Sequence, residues 1–284
     1  MTDSQSNQRM SWEEAICWLR RQTDQQQLVR ACYFDDPLIG AAERYRESTE
    51  WKAVEKIINK SRGRVLDVGA GRGITAYALA RMGWHVTALE PDPSGIVGAA
   101  AIKDLAESAS LEIVVVRGWG ESLPFANDSF DLVHGRQVLH HARDFRKLCS
   151  EISRVLKPGG TLIFTREHVI SKPEDLSIFQ NRHPIHKLCG GENAHRLEEY
   201  RHAIDEAGIE LKKILNPFES DINIFPETRS DVKKRIGAKI GIPASVIPDF
   251  FLTMLGGIVD TPGRLYTFVG RKREPHALRN VAPT

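Results

Sequence analysis

The chain has 284 residues, enough for one large domain, or one domain with a small cap, around a sizeable core. Its 39 Lys and Arg against 37 Asp and Glu leave a formal net charge of +2 with the signs interleaved, so no single-sign field points to a nucleic-acid partner. Cys17, Cys32, Cys149 and Cys189 form no C-x-x-C pair, which argues against a zinc ribbon or a disulfide framework and fits a reducing cytoplasm.

The N-terminus, MTDSQSNQRM, is polar, so neither a signal peptide nor an anchor is expected there. Residues 12–29 place Trp12, Ile16, Leu19 and Leu28 near helical spacing, and Ser11 with Glu14 forms a capping box. Asp35-Asp36-Pro37 interrupts this stretch. Residues 38–60 then read as a second helical stretch through Ala41, Tyr45, Trp51, Val54, Ile57 and Ile58. Residues 1–60 are therefore expected to form a helical lid, with Tyr33, Phe34, Tyr45 and Trp51 as packing residues.

Residues 64–73, RVLDVGAGRG, read as strand, turn and helix start. Val65, Leu66 and Val68 suit a buried strand, and the alternating glycines let a ligand approach the backbone closely. The helix expected over 74–81 would aim its first N–H groups above the turn, where a nucleotide-like molecule can sit. A dinucleotide fingerprint, G-x-G-x-x-G, would need its third glycine where Ile74 stands, and here the third glycine is Gly73. The run VLDVGAGRG, with Asp67 two positions before the first glycine, resembles the first motif of the class I S-adenosylmethionine-dependent methyltransferases.

Residues 85–90, HVTALE, form a strand ending in Glu90, about twenty residues after the turn, where a carboxylate can accept both ribose hydroxyl protons of a nucleoside. A helix over 96–108 and a strand over 112–117 follow. The runs GWGESLPF (118–125) and NDSFDLV (127–133) are similar to the adenine-side loop and fourth strand of small-molecule members of that family, including those of quinone biosynthesis and natural-product tailoring. Those relatives usually carry Asp where Trp119 stands, so this chain departs from the pattern there. HGRQVLHH continues the likeness, and so does ISRVLKPGGTLIF (152–164), which joins the end of a helix expected over 145–156 to the start of a fifth strand expected over 161–169. Across residues 62–169 the resemblance implies S-adenosylmethionine as cofactor. It implies contacts from Asp67, Gly69, Ala70, Gly71, Gly73, Glu90, Pro91, Trp119, Gly120 and Glu121, with His134 and Gly135 bordering the methionine part.

Beyond this the likeness weakens. Residues 171–195 are expected to form an acceptor-side loop, irregular over 173–192, containing His183, His186 and Glu192. A helix over 196–207, a sixth strand over 209–215 and an antiparallel seventh over 264–270 would complete the sheet. Between them, 221–262 reads as a cap insertion. Its apolar segment 250–259 is shorter than the roughly 18 residues that span a bilayer, and is read as cap, acceptor-pocket wall or dimer contact. The polar tail after Arg271 is expected to fray. The expected fold is α/β: a Rossmann-like, doubly wound, seven-stranded sheet, mostly parallel with an antiparallel last strand. A helical N-terminal lid (1–60) and the methyltransferase domain (61–284) make up the chain.

The function expected from these features is methyl transfer from S-adenosylmethionine to a small-molecule acceptor, favoured at a hydroxyl oxygen. Removing a hydroxyl proton calls for a base, and histidine titrates nearest to physiological pH. His140 and His141 are the candidates, with Glu167 and His168 as orienting partner or second base. No metal is expected, since H-x-x-H over 183–186 lacks the i, i+4 spacing of a helical zinc pair and Pro184 disfavours a regular helix there. C- or N-methylation and a non-catalytic cofactor-binding protein stay open as alternatives. A nicotinamide-dependent oxidoreductase on the same fold is disfavoured by Ile74.

Overall fold

The computed structural model describes residues 10–58, 62–182, 184–190 and 193–274. Helix α1 (Trp12–Arg21) begins where the Glu14 N–H donates to Ser11 Oγ and the Ser11 N–H to Glu14 Oε2, at 3.2 and 2.8 Å. A 3-10 turn over Thr23–Gln25 separates it from α2 (Gln26–Ala31), so the single expected helix is two. The second stretch is likewise broken, into α3 (Leu38–Glu47) and α4 (Thr49–Glu55). Ser48 between them is extended, and its hydroxyl accepts the Trp51 N–H at 3.0 Å. Tyr45 and Trp51 pack in one core with Val65, Tyr77 and Leu79, so these helices enter the main core through their aromatic residues.

Strand β1 (Arg64–Val68) leads through the glycine turn into α5 (Ile74–Arg81), and β2 (His85–Leu89) into α6 (Ala99–Ser108). Then come β3 (Ile113–Val116), β4 (Phe130–Arg136), α7 (Phe145–Val155) and β5 (Leu156–Ile170). Strand alternation sends Val65 to one face, with α5 and α6, and Leu66 to the other, with Leu148 and Ile152 of α7.

The stretch expected as an irregular loop holds α8 (Asp175–Gln180) and α9 (Pro184–Cys189), each too short to show a helical period in sequence. After β6 (His195–Arg196), α10 (Leu197–Glu206) and β7 (Ile209–Leu215), the insertion forms α11 (Asp221–Ile224), α12 (Arg229–Ile240) and α13 (Asp249–Ile258) before β8 (Arg264–Lys272). The sheet runs β3-β2-β1-β4-β5-β8-β7, parallel from β3 to β5, with β8 antiparallel between β5 and β7. The expectation of seven strands is corrected to eight, because β6 pairs with the end of β5 over two residues, too few for a sequence signal. The strand order reverses at β1 and β4, which makes the carboxyl ends of those two strands the natural ligand crevice. Strand β5 carries a bulge between Phe164 and Glu167, where Arg166 takes φ +61°, in the left-handed region.

Candidate active site

Gly69, Gly71 and Gly73 all have positive φ, at +62°, +54° and +84°. At Gly69 a Cβ would stand 2.5 Å from Val138 Cγ2, so no side chain fits. Above this turn opens a cavity of about 1060 Å³, lined on one side by Asp67, Gly69, Ala70, Gly71, Glu90, Pro91, Trp119, Gly120 and Glu121.

Gly73, His134 and Gly135 are not among the residues that line the cavity. Gly73 instead turns the chain into α5, against Ile102. His134 is paired in register with Asp67 on β1, and the fully buried ring sits with Nδ1 3.1 Å from Asp67 Oδ1. It therefore backs Asp67 from within the sheet. Gly135 leaves room for Val138 and the Phe164 ring, which a Cβ would meet at 2.4 and 3.0 Å.

Glu90 accepts the Gly71 N–H at 2.7 Å on Oε2 and the Asp92 N–H at 3.0 Å on Oε1, clamping two turns together. Burial raises its pKa, opposed by those two N–H groups. A carboxylate has about four acceptor positions, so it can still accept two more donors. Trp119 is 54% exposed, with the Arg143 guanidinium 4.7 Å from its ring centroid; it stands at the cavity wall and outside the core. Its loop is tied down where Glu121 Oε1 accepts the Arg143 N–H at 2.8 Å.

His140, His141 and His168 line the other half of the cavity. Glu167 does not. The β5 bulge turns it inward, where its carboxylate accepts the N–H groups of Val138, Leu139 and His140 at 3.0, 3.1 and 3.2 Å and stands 2.6 Å from His140 Nδ1. Of its two expected roles, this geometry suits orienting partner and leaves the second base without access to a ligand. His168 Nδ1 lies 2.7 Å from the Gly263 carbonyl, which can only accept, so Nδ1 carries the proton and Nε2 the lone pair. Burial lowers the pKa of both His140 and His168 and raises that of Glu167, so the two rings are uncharged at neutral pH.

His186 lines this half as well, whereas His195 packs on Phe145 and Tyr200 away from it. His183 and Glu192 lie outside the described residues. Phe225, Pro226, Thr261 and Pro262 give the insertion a share of the wall. Segment 250–259 has none, and Phe250, Met254 and Ile258 face outward, so the pocket-wall reading of that segment is corrected.

Sequence reasoning missed the arginines Arg136, Arg166, Arg182 and Arg264, all of which line the acceptor half. Arg136 donates to Glu50 from Nε and Nη2 at 2.6 and 3.1 Å. Arg166 donates to the carbonyls of Ile222 and Phe225 at 2.7 and 3.2 Å. A charged residue at the carboxyl end of an apolar strand was the available signal. Trp12 and Phe34 of the N-terminal segment complete the roof. Arg72, inside the glycine turn, holds that segment by donating to the carbonyls of Tyr33 and Asp35 and to Asp36, at 2.8, 3.0 and 2.5 Å.

Residues 66–164 match the family described as a methyltransferase domain, and they span the glycine turn, the reversal of strand order and most of β5. The chain carries a class I S-adenosylmethionine-dependent methyltransferase domain. YcgJ of Bacillus subtilis, named an uncharacterized methyltransferase, is 36% identical over 120 residues, covering 39% of this chain and 42% of YcgJ. The solved structure of YcgJ superposes with a TM-score of 0.51 at 23% identity over 83% of this chain and 98% of that one, a likeness of fold. A ubiquinone biosynthesis O-methyltransferase of Rhizobium leguminosarum is 27% identical over 57% of this chain and 66% of its own length. A glycine/sarcosine/dimethylglycine N-methyltransferase of Actinopolyspora halophila is 34% identical over 42% of this chain and 21% of its own. The chain thus spans less than two thirds of the length of each of these curated relatives.

The cofactor of the methyltransferase domain is S-adenosylmethionine, and the first half of the cavity fits it. One sulfonium and one ammonium against one carboxylate make the cofactor net positive, and the acids lining the cavity, Asp67, Glu90, Asp92 and Glu121, all lie in this half. Asp67 Oδ2 is buried with no hydrogen-bond partner, an acceptor suited to an ammonium donor.

Proposed function

We propose that the protein transfers the methyl group of S-adenosylmethionine to a hydroxyl oxygen of a small-molecule acceptor, with His140 taking the hydroxyl proton. One observation carries this reading: His140 lines the same cavity as the glycine turn, with its Nδ1 2.6 Å from the buried carboxyl group of Glu167. Asp67 would hold the cofactor's amino end, Glu90 its ribose hydroxyls, and Trp119, Gly120 and Glu121 its adenine side. When bound, the cofactor supplies an electrophilic methyl group on a positive sulfur.

The chain's own residues supply position and a proton acceptor. Fixing the acceptor oxygen in line with the reacting bond removes much of the entropic barrier. Trp12 and Phe34 add apolar wall to the cavity. As the acceptor oxygen is methylated, His140 would take the hydroxyl proton. Glu167 then stabilises the charge that develops there, and its three backbone N–H bonds fix its own position. His168, its tautomer set by the Gly263 carbonyl, is a second acceptor of the same form, with its ring centroid 4.8 Å from that of His140. Among the described residues no helix is long and apolar enough to cross a membrane. Cysteine usage favours a cytoplasmic setting.

The test is to incubate the chain with methyl-labelled S-adenosylmethionine and a metabolite extract, then locate the label. The expected product carries the methyl group on oxygen. His140→Ala should lower kcat by about 10²-fold or more with cofactor affinity unchanged. Label on nitrogen or carbon would overturn the oxygen assignment, and absence of any labelled product would favour a binding protein on this fold.

A further inference from the structure

Charge divides the cavity wall into two halves. Its lining carboxylates are confined to the cofactor half, while the acceptor half presents Arg136, Arg166, Arg182 and Arg264 beside uncharged histidines. The nearest counter-charge to Arg136 and Arg166 is Glu50, fully buried behind them; it is shared, with Oε1 2.6 Å from Arg136 Nε and Oε2 3.7 Å from Arg166 Nη1. Arg136 and Arg166 hold Glu50 ionised against its burial. Two guanidinium groups therefore face one carboxylate, leaving an excess positive charge in a site where Arg166 is only 12% exposed.

A structural role accounts for Arg136, which ties α4 to β4 through Glu50. Arg166 is also held, by the carbonyls of Ile222 and Phe225, but these bonds leave its Nε–H unused. That residue sits at φ +61° in the bulge, a conformation rarely adopted outside glycine, and its buried Nε has no hydrogen-bond partner. Arg264 repeats the pattern. Its Nε and Nη1 are buried without hydrogen-bond partners, and its ion pair is a 3.6 Å contact with Asp260, which is mostly exposed. Buried guanidinium N–H groups in excess over their acceptors are the complement of an oxyanion, which they bind with charge-assisted hydrogen bonds.

We propose that the methyl acceptor bears an oxyanion group, a carboxylate or a phosphate, and that Arg166 and Arg264, with Arg136 behind them, hold it on the acceptor side of the cavity. This rests on the acceptor half being the substrate site of a methyltransferase. Anchoring the anion here selects acceptors by charge and leaves the hydroxyl to be presented to the histidines.

The test uses the full chain loaded with S-adenosylhomocysteine and reads thermal shift and calorimetry at physiological chloride, with matched probes: 4-hydroxybenzoate against 4-hydroxybenzamide, and phenyl phosphate against phenol. The expected result is stabilisation by an oxyanion probe and not by its neutral mate, with the carboxylate and phosphate arms telling the two sources apart. Arg166→Gln should weaken that binding by about tenfold or more while S-adenosylhomocysteine binds as before. If Arg166→Gln fails to fold, Arg264→Gln serves, because its guanidinium carries fewer structural bonds. Equal stabilisation by acid and amide, no response to any oxyanion, or unchanged oxyanion affinity in both variants would overturn the proposal. Failure of S-adenosylhomocysteine itself to bind would instead overturn the cofactor assignment.

Discussion

Glu90 and His140 illustrate how much one side chain carries. Glu90 joins the glycine turn to the turn after β2 through two N–H bonds and keeps acceptor capacity for a ligand. Glu90→Ala is expected to weaken S-adenosylmethionine binding by about 1.5–3 kcal/mol, the usual worth of hydrogen bonds to a charged group, while the chain stays folded. Calorimetry together with circular dichroism checks this, and unchanged affinity would remove Glu90 from the site. The histidines carry a pH prediction whose sign follows from burial. Burial lowers the pKa of His140 and His168, so the rings stay neutral below pH 6.5, but it raises that of Glu167, which must be ionised to hold the His140 ring as a base, to about 7. The acid limb of kcat should therefore follow Glu167, with activity falling as pH drops through about 7. A limb that stays in place in Glu167→Gln would mean that this pair is not the base.

At the level of elements, the strands, the glycine turn and helices α5 to α7 were legible because apolar runs, glycine and capping residues act locally. The β5 bulge was not. Nothing in TLIFTREHV marks Arg166 for a left-handed conformation, and without that bulge Glu167 cannot be placed beneath His140. The place of His134 was not legible for a different reason: cross-strand register with Asp67, which local sequence does not reveal, buries its ring within the sheet packing. The N-terminal helices are tied to the turn by Arg72, which is 7% exposed and donates to three groups of residues 33–36. Arg72→Met keeps the stem and removes these bonds. Hydrogen exchange over residues 12–36 should speed up while β1 and β4 keep their protection; unchanged exchange would show that this segment is held by apolar packing alone.

Over the whole molecule, the cavity is assembled from the carboxyl ends of the central strands, the N-terminal helices, α8 and α9, and both ends of the insertion. The ends of β1, β2 and β4 lie inside the matched family segment and could be read from motifs. The other walls come from parts of the chain far apart in sequence, so the arginine-rich acceptor half emerges only in three dimensions. Phe250, Met254 and Ile258 are 70%, 58% and 73% exposed on α13, away from that assembly. Replacing Phe250 and Met254 with Ser should change stability by no more than about 0.5 kcal/mol per site and leave cofactor affinity alone. Chemical denaturation and calorimetry check this, and a loss of cofactor affinity would tie α13 to the cavity after all.

Everything proposed for the acceptor depends on the acid-lined half of the cavity taking S-adenosylmethionine. The most direct measurement is a calorimetric titration of the full chain with S-adenosylmethionine and, separately, with NAD. The account predicts saturable binding of S-adenosylmethionine at one site per chain, weakened in Glu90→Ala, and no binding of NAD. Binding of NAD at that site, or no heat with S-adenosylmethionine, would contradict it.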